Sequence, residues 1–396
     1  MLVSNDKKIY AGSTQIIKAY QGTDVVYEYQ QPSSVKIYGV KREIASSSPA
    51  WERLNDAVGL TANATHDGTA VINDFDNIYP YSNIISYEYD TVNDEIVSYY
   101  GDADFTFSPS DANIDVLTKI PEFWWKRYQE DGWEYIYIAD GEVAGFTKSE
   151  EFSIGRYLTT FSNSKAMSKS NYRPSYDRIE NARNYTTSKS ANYCLFDWRY
   201  FIIQLLYLVE YANYNSQEML GNGVQNNSVY NTGGCDSLGM KSGCLINDNS
   251  GQVIYRGIED IFGHFFNTLD GMVGIPINDI LSITYDPSDY ATRNNASQVS
   301  YTYTGSGSWP NITAVGYDAN NPLVQLPTST SSGSRLTGLC DGAFIRASSG
   351  NRVVEFGGAR TLNASYAGTS GLWCTAIVNS YTSSYSDMGY RILKYK

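Results

Sequence analysis

One segment sets the terms for the rest of the chain. From Asp197, a good helix N-cap residue, Trp198, Phe201, Ile202, Leu205, Leu206, Val209 and Ala212 recur at i, i+3, i+4, i+7 spacing. Ile203 and Leu208 fall on the other faces, so a helix here must be enclosed nearly all round. Its sixteen residues, Asp197 to Ala212, would span about 24 Å. Arg199, Gln204 and Glu210 argue against a membrane span. The layers that cover such a helix have to come from elsewhere in the chain. Only one other helix is expected, from Tyr176 to about Thr186, and the chain after Asn213 reads as loops and short strands. The fold class is therefore α+β.

The chain has 396 residues, enough for two or three units, and 42% of them are hydrophobic. Only 18% are charged and the net charge is −13, which disfavours a broad nucleic-acid or anionic-membrane surface, since both need clustered Lys and Arg. Tyr is the outlier, with 35 residues against 14 Phe; it suits strands and interfaces. The start, MLVSNDKKIY, lacks a charged-then-apolar signal pattern, and no membrane insertion is expected. Five cysteines without a CxxC, and two distant histidines, predict neither a disulfide scaffold nor a zinc site. Cys235 and Cys244 alone are close enough in sequence for a local bridge.

Residues 1–32 carry a short repeat. Lys8-Ile9-Tyr10-Ala11-Gly12 is echoed by Lys18-Ala19-Tyr20-Gln21-Gly22, and each half reads as strand, glycine turn, strand. So few strands cannot bury a core alone, so the segment reads as a β-rich attachment or oligomerisation arm, or as a hairpin packed on its own domain. After a linker at Gln30 to Ser34, residues 33–115 are expected to form an accessory β-rich portion, and residues 116–396 the main domain. Asn73 to Pro80 gathers Asp and Asn around aromatics. Its spacing is not that of a calcium loop, and a hydrogen-bonded turn is expected. Ile120 to Tyr128 and Trp133 to Ile138 form two aromatic, β-branched arms about a Glu130-Asp131-Gly132 turn, a hairpin.

Catalytic signals are sparse. His264 stands in the apolar run Gly263-His264-Phe265-Phe266, where a hydrogen-bonded structural role is expected. No nucleophile elbow, zinc-protease, P-loop or dinucleotide motif occurs. A spatial pair of carboxylates, as in a glycan hydrolase, is a minor alternative. The chain is expected not to be an enzyme and to need no cofactor or metal.

The last stretch, Cys340 to Lys396, is rich in small, aromatic and hydroxyl residues and poor in charge, the mixture that suits a recognition surface. Glycine-marked segments frame it, FGGAR at Phe356 and GYRIL at Gly389. Taken in order, these and several earlier pieces are similar to one family. The pieces are KIYAGSTQIIKAYQG, SSSPAWERLNDAVGL with DFDNIYPYS, IPEFWWKRY with YIYIAD, DWRYFIIQLLYLVEYANYNSQ and RGIEDIFGHFFNTLDG. The chain resembles phage and prophage virion proteins with a C-type-lectin-like fold of the formylglycine-generating-enzyme type, some of them variable proteins of diversity-generating retroelements. The resemblance covers nearly the whole chain, although the segment from Gly263 to Leu269 departs from the usual Asn, Val, Glu and Trp. It implies two main helices and irregular sheets behind a small N-terminal arm. The enzymatic members bind copper through two late cysteines; here Cys340 lies 34 residues before Cys374, which argues against that chemistry.

In adhesive members the ligand face lies between the two framing motifs. Carried over, the ligand-binding candidates are Asn351, Arg352, Leu362, Asn363, Tyr366, Trp373, Tyr381, Thr382 and Tyr385, of which Asn351 and Arg352 stand just ahead of the first motif, with Arg346 added from the preceding loop. Tyr and Trp would anchor, and Arg and Asn would supply directional hydrogen bonds. Trp373 opens an apolar strand and suits inward packing equally. The implied function is a receptor-binding protein of a phage tail or tail tip, made in the bacterial cytoplasm without a signal peptide. Its partners would be a bacterial surface protein or glycan and, through the arm, other tail proteins. A homo-oligomer, a trimer by analogy, would add avidity. A structural decoration protein of the virion, with no receptor, is the alternative.

Overall fold

The computed structural model describes residues 35–248, 251–300, 303–304, 309–331, 339–346, 350–365 and 369–395, together with four short strands within residues 9–28. The apolar segment folds as expected into a helix, α2 (Tyr200–Tyr211), buried along all 12 of its residues. It starts later than its sequence suggests. The Asp197 carboxylate accepts from the Arg199 N–H at 2.9 Å and from the Tyr290 hydroxyl, so it shapes the bend before the helix instead of capping it. Ala212, at φ 50°, ends the helix in the left-handed region. Both polar residues inside are bonded to other segments, although the Gln204 Oε1 has no partner among the described residues. Gln204 donates to the Leu372 carbonyl at 2.7 Å, and Glu210 accepts from Asn73 (2.7 Å), Tyr255 (2.9 Å) and Arg256 (2.7 Å). The second expected helix is α1 (Ile179–Lys189); α3 (Ser216–Leu220) and α4 (Arg360–Ser365) are short additions.

Two compact units divide the chain, Met1–Lys36 and Ile37–Lys396. In the first, β1 (Ile9–Ala11) pairs antiparallel with β2 (Thr14–Ile16), and β3 (Lys18–Gln21) with β4 (Asp24–Glu28), one strand pair for each half of the repeat.

The second unit is mostly sheet. One sheet runs β12 (Thr147–Ser149), β10 (Phe123–Glu130), β11 (Trp133–Ala139), β5 (Ile37–Glu43), β6 (Glu52–Asn55). The expected hairpin is β10–β11, turned at Asp131 and Gly132, both at positive φ (50° and 82°). Its alternation is plain: Phe123, Trp125, Arg127, Glu134, Ile136 and Ile138 are buried, while Trp124, Lys126, Tyr128, Trp133, Tyr135 and Tyr137 stand half-exposed on the outer face. There Tyr128, Tyr135 and Tyr137 stack, with ring centroids 4.8 to 6.4 Å apart, a cross-strand ladder that stiffens the sheet.

A second sheet runs β16 (Tyr193–Leu195), β28 (Ile392–Lys394), β13 (Phe152–Gly155), β9 (Ile114–Ile120), β7 (Ile85–Asp90), β8 (Glu95–Tyr99). The last strand of the chain therefore lies inside a sheet, between strands from the first half of the sequence. A third sheet runs β21 (Ser297–Ser300), β20 (Ile280–Ile283), β19 (Phe266–Ile275), β25 (Arg352–Phe356), β26 (Thr375–Ile377), β24 (Ala343–Ile345), with β27 (Met388–Gly389) paired to β19. Three strand pairs complete the unit: β14 (Thr160–Ser162) with β15 (Lys165–Met167), β17 (Ile254–Tyr255) with β18 (Ile258–Glu259), and β22 (Asn311–Val315) with β23 (Pro327–Ser331).

The fold class is thus α+β, dominated by sheet. The expected border near residue 115 has no counterpart. Strands β5 and β6 belong to the sheet of β10–β12, and β7 and β8 to that of β9, β13 and β28, so residues 37–115 are woven into the main unit. Asn73 to Pro80 is a hydrogen-bonded turn, with the Asn73 side chain accepting from the Phe75 N–H (3.0 Å) and Asp76 paired with Arg256 (2.7 Å). All five cysteines are buried free thiols, so Cys235 and Cys244 are not bridged.

Arg391 locks the sheets together. Fully buried, it donates through Nε to Asn267 (2.8 Å), through Nη1 to the carbonyls of Gly155 and Arg156 (3.1 Å each), and through Nη2 to the Glu259 carbonyl. Burial lowers its guanidinium to about 10. Gly357 and Gly358, at φ 91° and 68°, let the turn after β25 press against Ile261 and Ser370. A Cβ on Gly357 would lie 2.7 Å from the Ile261 carbonyl oxygen.

Candidate surface at one end of the third sheet

Strand directions decide which of the candidate residues meet. Strands β24 and β26 run parallel, Ala343 opposite Thr375 and Ile345 opposite Ile377, so Arg346 and Val378 leave the sheet at the same end. Strand β25 runs antiparallel to β26, so its first residue, Arg352, and the preceding Asn351 enter at that end. A single bridge, Arg352 to Ser380, then folds the 379–387 loop against them. Arg346, Asn351, Arg352, Tyr381 and Thr382 therefore gather at one sheet end, with Tyr385 farther along the same loop.

The loop is fastened at both ends. At its start the Val353 N–H donates to the Asn379 carbonyl (3.0 Å), and Asn379 Nδ2 donates to buried Glu355 (2.8 Å). At its end Arg360 donates to the Ser386 carbonyl (3.0 Å), Thr361 to Asp387 (2.7 Å), and the Phe266 N–H to the Asp387 carbonyl (2.9 Å). Between these ties Thr382 and Tyr385 are exposed, Tyr385 at 49%. Arg346 and Asn351 are exposed too, and Arg352 is half-buried.

Tyr381 is the hinge between surface and interior. Its ring lies between two guanidinium groups, Arg293 at 5.1 Å and Arg183 at 5.6 Å from the centroid, and its hydroxyl donates to the Met272 carbonyl (3.3 Å). Arg183 in turn grips buried Asp270 through two bonds of 2.7 and 2.5 Å. Burial alone would lower the Arg183 guanidinium; the Asp270 pairing outweighs it and holds the group above the ordinary arginine value. Burial raises the Tyr381 hydroxyl, and Asp270 adds to that. Below the loop, burial and the nearby Asp387 push the Glu355 carboxyl up to about 8.

Two candidates are corrected. Trp373 is wholly buried: its indole N–H donates to Gln325 (3.2 Å), and its ring packs edge-on against Tyr207 and Tyr214. Leu362, 4% exposed, packs with Phe266, Ala359, Cys374 and Ala376. Each is apolar enough that burial outweighs display. The Asn363 side chain and the whole of Tyr366 lie outside the described residues. Sequence reasoning missed Arg183, Asp270 and Arg293, which come from a helix, a strand and a turn remote from the loop and carry no local signal.

His264 has the structural role expected. The Tyr230 N–H donates to its Nε2 (3.1 Å), which fixes the proton on Nδ1, where it donates to Asp260 (2.7 Å). Among the described residues, no group of three or more His, Cys, Asp or Glu side chains could hold a metal ion, and no helix is long and apolar enough to cross a membrane. No protein-family model matches the chain, and no curated protein matches it either.

Proposed function

We propose that this chain is a receptor-binding protein of a phage or prophage virion, presenting the end of its third sheet to a bacterial surface protein or glycan. The observation that carries the reading is the two-ended fastening of the 379–387 loop beside Arg346, Asn351 and Arg352. A contact surface held by main-chain and buried side-chain bonds loses little entropy on binding. Hydroxyl, amide, guanidinium and tyrosine groups dominate it, the mixture found on adaptable binding faces.

We read the α+β unit as a C-type-lectin-like domain of the formylglycine-generating-enzyme type. Supporting features are the enclosed helix α2, the closing strand β28 seated between early strands, and the glycine turns at Gly357-Gly358 and Gly389 framing the loop. Met1–Lys36 serves as the arm that joins other tail proteins, in a homo-oligomer.

The test is binding of the labelled protein to a panel of bacterial cells. The wild type is expected to bind at least one strain. The combined variant Arg346→Ala, Asn351→Ala, Thr382→Ala, Tyr385→Ala is expected to lose at least tenfold in affinity with an unchanged melting temperature. Undiminished binding by that variant would remove this surface from the receptor face. A wild type that binds no cell but co-sediments with virions would favour the decoration protein.

A further inference from the structure

A concave feature elsewhere in the same unit shares no residue with the sheet-end surface. It is a cleft of about 390 Å³ between the β10–β12 edge, the start of α2 and the 320–323 loop. This is within the size range of small-molecule sites, roughly 300–1,000 Å³. Its apolar side is built from Trp125, Trp198, Ile202, Tyr285 and Leu323. Its polar side is Thr147 to Glu150 with Arg199, Asn320 and Asn321.

The cleft is preformed. Buried Arg127, paired with Glu134 at 2.5 Å, donates to the carbonyls of Pro322 and Val324 (2.9 Å each) and of Gly316 (3.1 Å), which pins the 320–323 wall to the hairpin. The Tyr285 hydroxyl donates to Asn321 (3.2 Å), closing the corner from the other side.

Two observations narrow the ligand. Trp198 and Tyr285 meet edge to face, centroids 5.3 Å apart at 67°, so they form a corner instead of the parallel slot that would sandwich a flat base. The two cations of the lining are already engaged: Lys148 with Glu122 and Glu150 (2.8 and 2.9 Å), and Arg199 with Asp197. An anionic ligand such as a phosphate would have to break those pairs.

We propose that the cleft binds a neutral pyranose ring of a glycan. The C–H face of the sugar lies on the Trp198–Tyr285 corner, and its hydroxyls bond to Asn320, Asn321 and Glu150. The site is independent of the sheet-end surface.

Saturation-transfer NMR on the full chain with six free sugars (glucose, galactose, mannose, N-acetylglucosamine, N-acetylgalactosamine and rhamnose) tests this. At least one sugar is expected to receive saturation on its ring C–H protons. Trp198→Ala should abolish the transfer and Tyr285→Ala should weaken binding at least tenfold. Tyr285 is 40% exposed, so its variant keeps the test open if loss of Trp198 impairs folding. The combined sheet-end variant should retain full transfer, which separates this site from the receptor surface proposed above. Transfer to none of the six, or transfer undiminished in the Tyr285 variant, overturns the proposal. Binding of free indole at the cleft without any sugar would make it a socket for an apolar side chain, and also overturns it.

Discussion

Residues 369–377 and 379–387 are near neighbours in the chain and take opposite fates. Every residue of the first segment is buried, and every residue of the second is partly or fully exposed. The first holds Leu372, Trp373, Cys374, Ala376 and Ile377; in the second, Tyr is the only large apolar type. The hydrophobic difference sends one segment under the sheet, where Trp373 closes the core, and leaves the other outside. The outer loop is nevertheless ordered by the inner one. Glu355, Arg360 and Phe266, whose groups fasten it, are themselves fixed in the sheet and in the turn that Gly357 makes possible. A display surface of this kind is only as firm as the buried segment beneath it.

The sharpest way to break the contrast is to remove an interior anchor. Arg391→Ala is expected to have the largest effect, because the Asn267 side chain and the carbonyls of Gly155 and Glu259 would lose the arginine donor in a dry interior, while the Arg156 carbonyl keeps the Glu259 N–H (2.9 Å). At about 1–3 kcal/mol for each orphaned group, the protein should fail to fold or melt far below the wild type. Trp373→Ala comes next, with about 3–5 kcal/mol lost to the cavity and to an unpaired Gln325. Denaturant unfolding reads both. A Trp373 variant of wild-type stability that lost cell binding would reverse its assignment and make it a ligand residue.

The same contrast explains what could be read from the sequence. Helix α2 and the β10–β11 hairpin declare themselves because their periods are strong and their cores continuous. Strand β19 does not. It buries Asn267, Thr268, Asp270 and Gly271, and its register with β25 shifts between Leu269 and Gly274. Asn267 and Asp270 are tolerated because Arg391 and Arg183 reach them from distant segments, a compensation no local pattern shows. The surface was legible in part for the same reason. Arg346, Asn351, Arg352, Tyr381 and Thr382 sit near sheet ends and converge once strand directions are known. Leu362 and Trp373 lie in the same span, but their apolar character takes them inside. The aromatic cleft draws on five separate segments, which no local pattern brings together.

Glu355, between the two layers, gives a subtler probe. Its folded value of about 8 lies above the ordinary 4.5, so between those pH values the folded chain holds a proton that the unfolded chain has released. The stability linked to it is full below about pH 4.5 and is lost as pH rises through 8. Asp341, raised to about 7 by burial, acts in the same direction. The melting temperature should therefore fall between pH 5.5 and 8.5, and Glu355→Gln should narrow the gap by a few degrees. A gap unchanged by the substitution would show that Glu355 does not titrate there.

The smallest stability effect is expected at the outermost point of the loop, and it bears most directly on function. Tyr381 and Tyr385 are four residues apart, and the sequence marks both as ligand contacts. Tyr381 is clasped by Arg183 and Arg293, so Tyr381→Ala should lower stability and binding together, through collapse of the loop. Tyr385 is half-exposed and its substitution should change stability by about 0.5 kcal/mol at most. If it is a contact anchor, Tyr385→Ala should still weaken cell binding by a factor of several, because truncating an interface aromatic costs on the order of 1–2 kcal/mol. Paired melting and binding measurements on the two variants separate support from contact. Equal losses of binding and stability at both positions would mean that the loop only covers the sheet end and recognises nothing.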